Sequence, residues 1–421
     1  MMMKLFFRLA LLLAVLSLPA CSKSADDSGG EEHGGKTSGF EVTWGKITKV
    51  CSGGYGRMHR LADNRLMLAY GNDSSVFARF SSDNGTTWSN PVTVMAKFSY
   101  YNKDRKQSVR VRCTRPDFAQ LPNGDILCTI TQQPAGNRTW LHAECIVSTI
   151  SRDGGKTWSK EIETYPSQIW EYKGVDDVPK GAMESSVLVL PNGRVQVYFT
   201  DNTPYYRAYL DGKRSTQAGN CVMMVESSDG GYTWSAGHIV CNSDEGSLVG
   251  WDCMPEVVCH DGWIYLIIEH KDVRGTSPEN VAMNLQMMSC RLEEGWPEEV
   301  IGKYSARRFY PYPPKAEYYC GAPYIVKTED YFVIVGQSAE NSASPLTGDY
   351  SAPWIHCIPL SSAANGKFSG TYETPSPIKI DQTVYSANWN SLCPLGDNTF
   401  YVVTTYQGAI WINKGTIKNK N

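Results

Sequence analysis

The sequence predicts an all-β chain folded as a six-bladed β-propeller, and three observations carry that prediction. Six stretches share one grammar: a strand, a tight polar turn, then a second strand richer in β-branched and aromatic residues. Their starts recur roughly every 60 to 70 residues, a period that suits a four-stranded blade with long loops. Almost no stretch repeats its apolar residues at helical spacing, so the apolar periodicity of the chain is that of strands.

The chain begins with a segment outside that fold. Lys4 and Arg8 make a positive start, Leu9 to Leu16 is apolar, and Leu18-Pro19-Ala20-Cys21 closes the run, so residues 1–20 read as an export signal too short to span a membrane. The closing tetrapeptide resembles a bacterial lipobox, which implies cleavage before Cys21 and a lipid on its thiol. Residues 21–39 are acidic and rich in glycine and serine, the composition of a flexible tether. The acidic residues behind Cys21 resemble the export signals of outer-membrane lipoproteins that reach the cell surface. Residues 40–421 are expected to form the propeller, membrane-attached only through the lipid and monomeric.

The six hairpins open at Arg57, Thr114, Met183, Asp252, Cys320 and Asn388. In the third, MESSVLVLPNGRVQVYFTDN at 183–202, Pro191-Asn192-Gly193 makes the turn, and each strand spans roughly 20 Å. The chain therefore returns with Asp201 near Glu184, an acid at each open end of a buried strand pair. A second motif follows the first three hairpins: SSDNGTTW at 81–88, SRDGGKTW at 151–158 and SSDGGYTW at 227–234. This is the Asp-box pattern. Asp83, Asp153 and Asp229 can accept hydrogen bonds from their own turns. Gly85, Gly155 and Gly231 supply a positive φ, and Trp88, Trp158 and Trp234 pack on the blade. These aspartates are read as structural. Blades four and five keep only traces of the motif, at Gly295-Trp296 and Gly366-Lys367-Phe368. The last hairpin is followed by a single further strand, so FEVTWGKITKV at 40–50 is expected to complete that blade and close the ring, removing exposed sheet edges.

A net charge of −3 gives no reason to expect nucleic acid. Of thirteen cysteines, twelve lie beyond Cys21; an even number in an exported chain suggests disulfides, yet several sit within strands and read better as small buried hydrophobes. The seven histidines are scattered, and no metal or cofactor is implied.

Aligned on their turns, the hairpins bring Arg57, Arg115, Glu184, Asp252 with Cys253, Gly321 and Trp389 to one end of the channel on the incoming side. Asn72, Gln132, Asp201, Glu269, Gln337 and Tyr406 meet them on the outgoing side. Carboxylates, amides and rings converging on one concavity suit a carbohydrate. Hydrolysis of a glycoside needs two carboxyl groups, and Glu184 and Glu269 come from neighbouring blades at the same face. Glu256 competes for the second role, but alternation along its strand is expected to turn it off the channel. Arg57 and Arg115 either bind substrate or fix the ionisation of these acids. The expected substrate-binding set is Arg57, Arg115, Asp201, Trp251, Asp252 and Gln337.

Three segments, at 183–202, 251–270 and 320–338, resemble in order those of glycoside hydrolase family 93, the exo-α-1,5-L-arabinanases, within the sialidase-like Asp-box propellers. The resemblance implies retaining hydrolysis of an arabinan-like plant polysaccharide, with Glu184 as acid/base and Glu269 as nucleophile. Two positions depart from the family: Cys253 replaces a glycine, and Ser185-Ser186 replaces a Pro-Phe pair. A sialidase is the rival enzyme. The arginine signature of that group reads Arg57-Met58-His59 here, and its remaining arginines would have to come from Arg274, Arg307 or Arg308. A surface glycan-binding lipoprotein without turnover is the rival outside enzymes.

Overall fold

A computed structural model describes residues 39–419, apart from 138–140, 167–180, 214–218, 244–249, 273–282, 312–317, 340–350, 369–371 and 375–386. Cys21, the export signal and the tether up to residue 38 lie outside the described residues, as does Arg274. Within them the chain is nearly all β and forms six antiparallel blades.

Blade one comprises Gly54–Arg60, Leu66–Asn72, Ser75–Ser81 and Val92–Met95. Blade two comprises Gln107–Gln120, Ile126–Pro134, Cys145–Ser151 and Ile162–Tyr165, with Phe98–Asn102 added beside the first half of its long inner strand. Blade three comprises Ala182–Val189, Val195–Asp201, Cys221–Ser227 and His238–Cys241. Blade four comprises Gly250–His260, Trp263–Asp272, Asn284–Arg291 and Arg308–Phe309. Blade five comprises Cys320–Lys327, Tyr331–Ser338, Ala352–Pro359 and Tyr372–Thr374. Blade six comprises Asn388–Gly396, Thr399–Tyr406, Ala409–Asn419 and, from the other end of the chain, Phe40–Trp44.

That last pairing closes the ring as expected. Phe40 lies opposite Asn419 and Trp44 opposite Gly415, and Thr48–Ser52 pairs with the same strand from Ile412 back to Ala409. Aromatic contacts fasten the seam: Trp44 meets Phe400 edge-on at 5.8 Å, and Phe40 meets Tyr331 at 5.3 Å.

The core is divided among the blade junctions. Leu188, Tyr198 and Val222 of blade three pack on Leu266, Ile268 and Met288 of blade four, and comparable clusters fill the other junctions. A second strand such as Val195–Asp201 is buried along its whole length, because it is covered on both faces by neighbouring blades. This explains why these strands read as continuous apolar runs. Each fully buried Val, Ile or Phe contributes about 1.5–3 kcal/mol.

The three Ser-x-Asp-x-Gly-x-Thr-Trp turns follow third strands at the hairpin-turn end of their blades; Arg65, in the first hairpin turn, donates to the Gly154 carbonyl at 3.1 Å. In each, one carboxylate holds the turn: Asp153 accepts from the Lys156 and Thr157 N–H groups at 2.9 Å and from the Thr157 hydroxyl at 2.6 Å. Gly155 combines a φ of 91° with a close approach to Phe80 of blade one, where a Cβ would stand 2.2 Å from the ring. The two partial copies keep a glycine of positive φ, Gly295 and Gly366, and the packing residue. Trp296 donates its indole N–H to the Tyr198 hydroxyl at 2.7 Å, and Phe368 stacks on Tyr265. Of the twelve cysteines beyond Cys21, nine are buried, most of them in these junctions.

Candidate active site

The opposite end of the blades carries the chemistry. Every inner strand breaks its ladder at the same point with a β-bulge. At each bulge one residue takes a left-handed backbone: Tyr55, Arg115, Glu184, Met254, Ala322 and Trp389, with φ between 45° and 59°. None is a glycine, so each conformation is held by its surroundings at a cost of about 1–3 kcal/mol. Bulges re-aim side chains, and here one residue per blade is re-aimed at one end of the channel.

The surroundings that hold the bulges are a second ring. Tyr55 N–H donates to Thr405 Oγ1 at 3.0 Å, Glu184 N–H to Thr131 Oγ1 at 3.2 Å, and Met254 N–H to Thr200 Oγ1 at 2.9 Å. Ala322 N–H donates to Glu269 Oε2 at 2.6 Å and Trp389 N–H to Gln337 Oε1 at 3.2 Å. Each acceptor belongs to the second strand of the preceding blade. Gln337 and Glu269, both singled out from the sequence, therefore hold backbone as well as facing the channel end.

Glu184 and Glu269 come from blades three and four, as the hairpin alignment requires. Glu184 is partly exposed, and its Oε1 lies 3.5 Å from Arg115 Nε; Arg115 also donates to Gln133 Oε1 at 3.2 Å. Glu269 is buried. Its Oε2 accepts from the Tyr319 hydroxyl at 2.9 Å as well as from Ala322, and the Cys253 thiol lies 3.7 Å from Oε1. Burial raises its pKa; the two donors pull it back down, and the nearby charge of Glu184 pushes it up again, with a net rise. Gly321 is what lets the carboxylate sit there: a Cβ at that position would be 2.1 Å from Glu269 Oε2. Beside Glu184, a pocket of about 620 Å³ opens between blades six, one and two, lined by Tyr55, Arg115, Gln133 and the 42% exposed Trp389.

Two residues further along each inner strand, a lower tier fills the channel with Arg57, Asp117, Ser186, Glu256, Tyr324 and Ser391. The bulge resets the alternation, so Glu256 points into the channel, contrary to the expectation from its strand position. Its Oε1 lies 3.4 Å from Arg57 Nη2 of the opposing blade, and Ser186 donates to its Oε2 at 2.8 Å. The Arg57 guanidinium is sandwiched 4.1 Å from the Tyr55 ring and 5.1 Å from that of Tyr324. Asp117 accepts from Val187 N–H at 2.7 Å. One cation thus faces two buried acids. Burial raises the pKa of Glu256, the Arg57 charge opposes this, and Asp117 reinforces it.

The other expected residues point into blade junctions. Asp201 is fully buried, accepting from the Tyr165 hydroxyl at 3.1 Å and the Thr203 N–H at 2.8 Å. Asp252 is fully buried between His270 Nδ1 at 2.8 Å and Arg308 Nη2 at 2.5 Å. Burial alone would raise its pKa, but Arg308 and His270 hold it well below the usual carboxylate range. Arg308 is committed to that pair and does not swing to the channel end. Trp251 is half-buried and pairs with Lys271 and Asn220 at the start of blade four. Tyr319 escaped the sequence reading because it precedes its strand and belongs to no periodic pattern.

Ring, bulges and junction cores define a sialidase-like six-bladed propeller. No family model and no curated protein matches the chain. Solved structures do. A Penicillium chrysogenum α-L-arabinanase complexed with arabinobiose matches at 14% identity and a TM-score of 0.58, over 89% of this chain and 98% of that one. The glycoside hydrolase family 93 α-L-arabinofuranosidase of Fusarium graminearum, with arabinobiose, matches at 13% identity and a TM-score of 0.57, over 89% and 98%. A Hadza microbial sialidase matches at 14% identity and a TM-score of 0.52, over 87% of this chain and 66% of that one. At such identities the likeness is one of fold.

Proposed function

We propose that the protein is a retaining, exo-acting glycoside hydrolase of arabinan or related pectic side chains. One observation carries the reading. Two glutamates from adjacent blades meet at the channel end closely enough for the charge of one to act on the other, and their settings differ. Glu184 is partly open and lies 3.5 Å from the Arg115 guanidinium, placed to attack rather than to donate. Glu269 is buried and pushed toward its neutral form. This reverses the roles expected from the resemblance: Glu184 is the nucleophile and Glu269 the acid/base.

In the first step Glu269 gives its proton to the glycosidic oxygen as that bond to the anomeric carbon breaks, while a Glu184 oxygen forms a bond to the same carbon. In the second, the Glu269 carboxylate takes a proton from water. The water oxygen attacks the anomeric carbon, the ester bond to Glu184 breaks, and both residues are restored. Arg115 steadies the charge of Glu184 between turnovers, and Tyr319 with the Ala322 N–H orients Glu269. Trp389 offers a face on which a sugar ring stacks. The lipobox supports placing this propeller on the outer membrane, tethered through Cys21; the reading takes it as a monomer acting on oligosaccharide or polysaccharide.

The test is release of short arabinose oligosaccharides from linear arabinan, with retained anomeric configuration read by NMR. Glu269→Gln should lose activity on the polysaccharide yet keep it on aryl arabinosides with good leaving groups, with azide rescue giving a product of retained configuration. Release by Glu184→Gln at the wild-type rate would end the proposal. A second reading, a glycan binder without turnover, is favoured by one fact: Glu269 occupies a position that threonine or glutamine fills in four other blades to hold backbone. Tight binding of arabinan with no product would select it. A sialidase is disfavoured, because Arg57 and Arg308 are each committed to buried carboxylates.

A further inference from the structure

The ring of acceptors that holds the bulges has a gap. The acceptors Thr405, Thr131, Thr200, Glu269 and Gln337 each lie opposite the residue before a bulge: Asn388, Thr114, Met183, Cys253 and Gly321. In blade one the residue before the bulge is Gly54, and opposite it stands Gly71. Gly71 has no side chain to offer the next bulge, that of Arg115. Among the described residues no side chain accepts the Arg115 N–H.

Nothing in the backbone demands a glycine there. A Cβ on Gly71 would meet only the Gly54 carbonyl oxygen, at 3.6 Å, an ordinary contact, and Gly71 is not among the residues with positive φ. A Cβ, the first atom of the threonine used in three other blades, has room there. What the glycine leaves instead is space, and both Gly71 and Arg115 line the pocket beside Glu184.

We infer that this vacancy is a ligand subsite: a hydroxyl oxygen of the bound sugar takes the sixth acceptor position and receives the Arg115 N–H. The inference rests on the glycosidase reading for its ligand class and adds the residue that sets the depth of the subsite. A neutral hydroxyl fits better than a carboxylate. The Arg115 charge is already met by Glu184 at 3.5 Å and Gln133 at 3.2 Å, and Asp73 lines the same pocket. Among the described residues lining the pocket, an arriving carboxylate would find no unmatched cation.

The experiment compares the full chain with Gly71→Thr, and with Gly71→Ser should the larger residue disturb folding. Linear α-1,5-linked arabinotriose is the probe. Filling the gap should slow exchange of the Arg115 amide, leave thermal stability equal or higher, and raise KM by about tenfold while kcat moves by less than about twofold. An unchanged KM in a variant whose Arg115 amide is newly protected would overturn the subsite. If the wild-type protein neither cleaves nor binds arabinotriose, the arabinan reading fails by itself. The same pair of proteins is then screened by calorimetry against neutral and sialylated oligosaccharides. A neutral glycan that binds the wild-type protein about tenfold more tightly than the variant sustains the subsite. A panel in which no glycan tells the two proteins apart, or only sialylated ones do, overturns it.

Discussion

Two arginine–glutamate contacts lie on successive tiers of the same channel. Arg115 and Glu184 approach to 3.5 Å at the bulges, and Arg57 and Glu256 to 3.4 Å two residues further along. Distance does not separate them; burial does. The upper side chains are 27% and 14% exposed, the lower 1% and 7%. In the upper pair Arg115 lines a pocket, and the charge of Glu184 acts on a second acid with a raised pKa. The lower pair is enclosed by two tyrosine rings and a serine: Arg57 Nη2 meets Glu256, Nη1 the Gly56 carbonyl, and Glu256 Oε2 accepts from Ser186, while Arg57 Nε has no partner among the described residues. Charge in a channel is thus no guide to substrate binding until its partners are known. The upper tier is built to exchange partners, the lower to keep them.

The largest expected effect separates the tiers by activity. Glu184→Gln should lower kcat by roughly 10⁴-fold or more, the scale seen when a residue acting as part of a catalytic unit is removed. Glu256→Gln should leave the kcat of the folded fraction within about threefold. A comparable loss in both would erase the distinction. Stability should show the reverse order. Arg57→Ala strips the cation from two buried acids and should cost about 3–5 kcal/mol in urea unfolding, whereas Arg57→Met combined with Glu256→Met and Asp117→Asn should cost less than the single change. Arg115→Ala, at a partly exposed pair, should cost about 1 kcal/mol or less.

A smaller effect tests the placement of Glu269. Gly321→Ala puts a Cβ where Glu269 Oε2 now sits, 2.1 Å away, and the carboxylate must turn aside. A displacement of that size should lower kcat by about 100-fold, and because the Ala322 N–H loses its acceptor it should also cost about 1–3 kcal/mol of stability. If Glu269 only holds the Ala322 backbone, Gly321→Ala should lower the unfolding midpoint and leave turnover per folded molecule unchanged.

The hairpins, their number and the ring closure were legible because each rests on strand propensity, turn residues and period. The site was legible only in part. Aligning the hairpins on their turns assumes turns of equal length, yet residues 61–65 and 121–125 join their strands in blades one and two, while 261–262 and 397–398 suffice in blades four and six. A one-residue slip turns a side chain to the other face. Alignment on the turns therefore picks Asp201, where the neighbouring Thr200 holds the next bulge, and Asp252, two residues before the bulge residue Met254. The bulges left no mark of their own: Tyr, Arg, Glu, Met, Ala and Trp are not residues that favour a left-handed backbone. Their conformation is imposed by acceptors on the neighbouring blade, a contact between residues as distant in sequence as Tyr55 and Thr405. Glu184 and Glu269 were found because a carboxylate at a strand end is conspicuous whatever the register.

The smallest effects lie in the pH dependence of stability, where the channel and the far face should act with opposite signs. Asp83, Asp153 and Asp229 accept hydrogen bonds from their turns, and their pKa values fall to about 2 from an ordinary 3.8. A carboxylate depressed in the folded state binds fewer protons there than in the unfolded chain. Its stabilisation is therefore full above pH 3.8 and fades as pH falls toward about 2. Glu256 and Glu269 are raised by burial, so the folded state holds their protons longer. Their contribution is full below the ordinary 4.5 and declines as pH rises above it. Asp153→Asn should flatten the acid limb of a stability–pH curve alone, and Glu256→Gln should flatten the limb above pH 4.5 alone. Urea midpoints measured from pH 2 to 8 decide the matter. A Glu256→Gln curve parallel to wild type above pH 4.5 would mean that Arg57 keeps Glu256 ionised, and the lower tier would then be an ion pair facing one more acid rather than a shared proton.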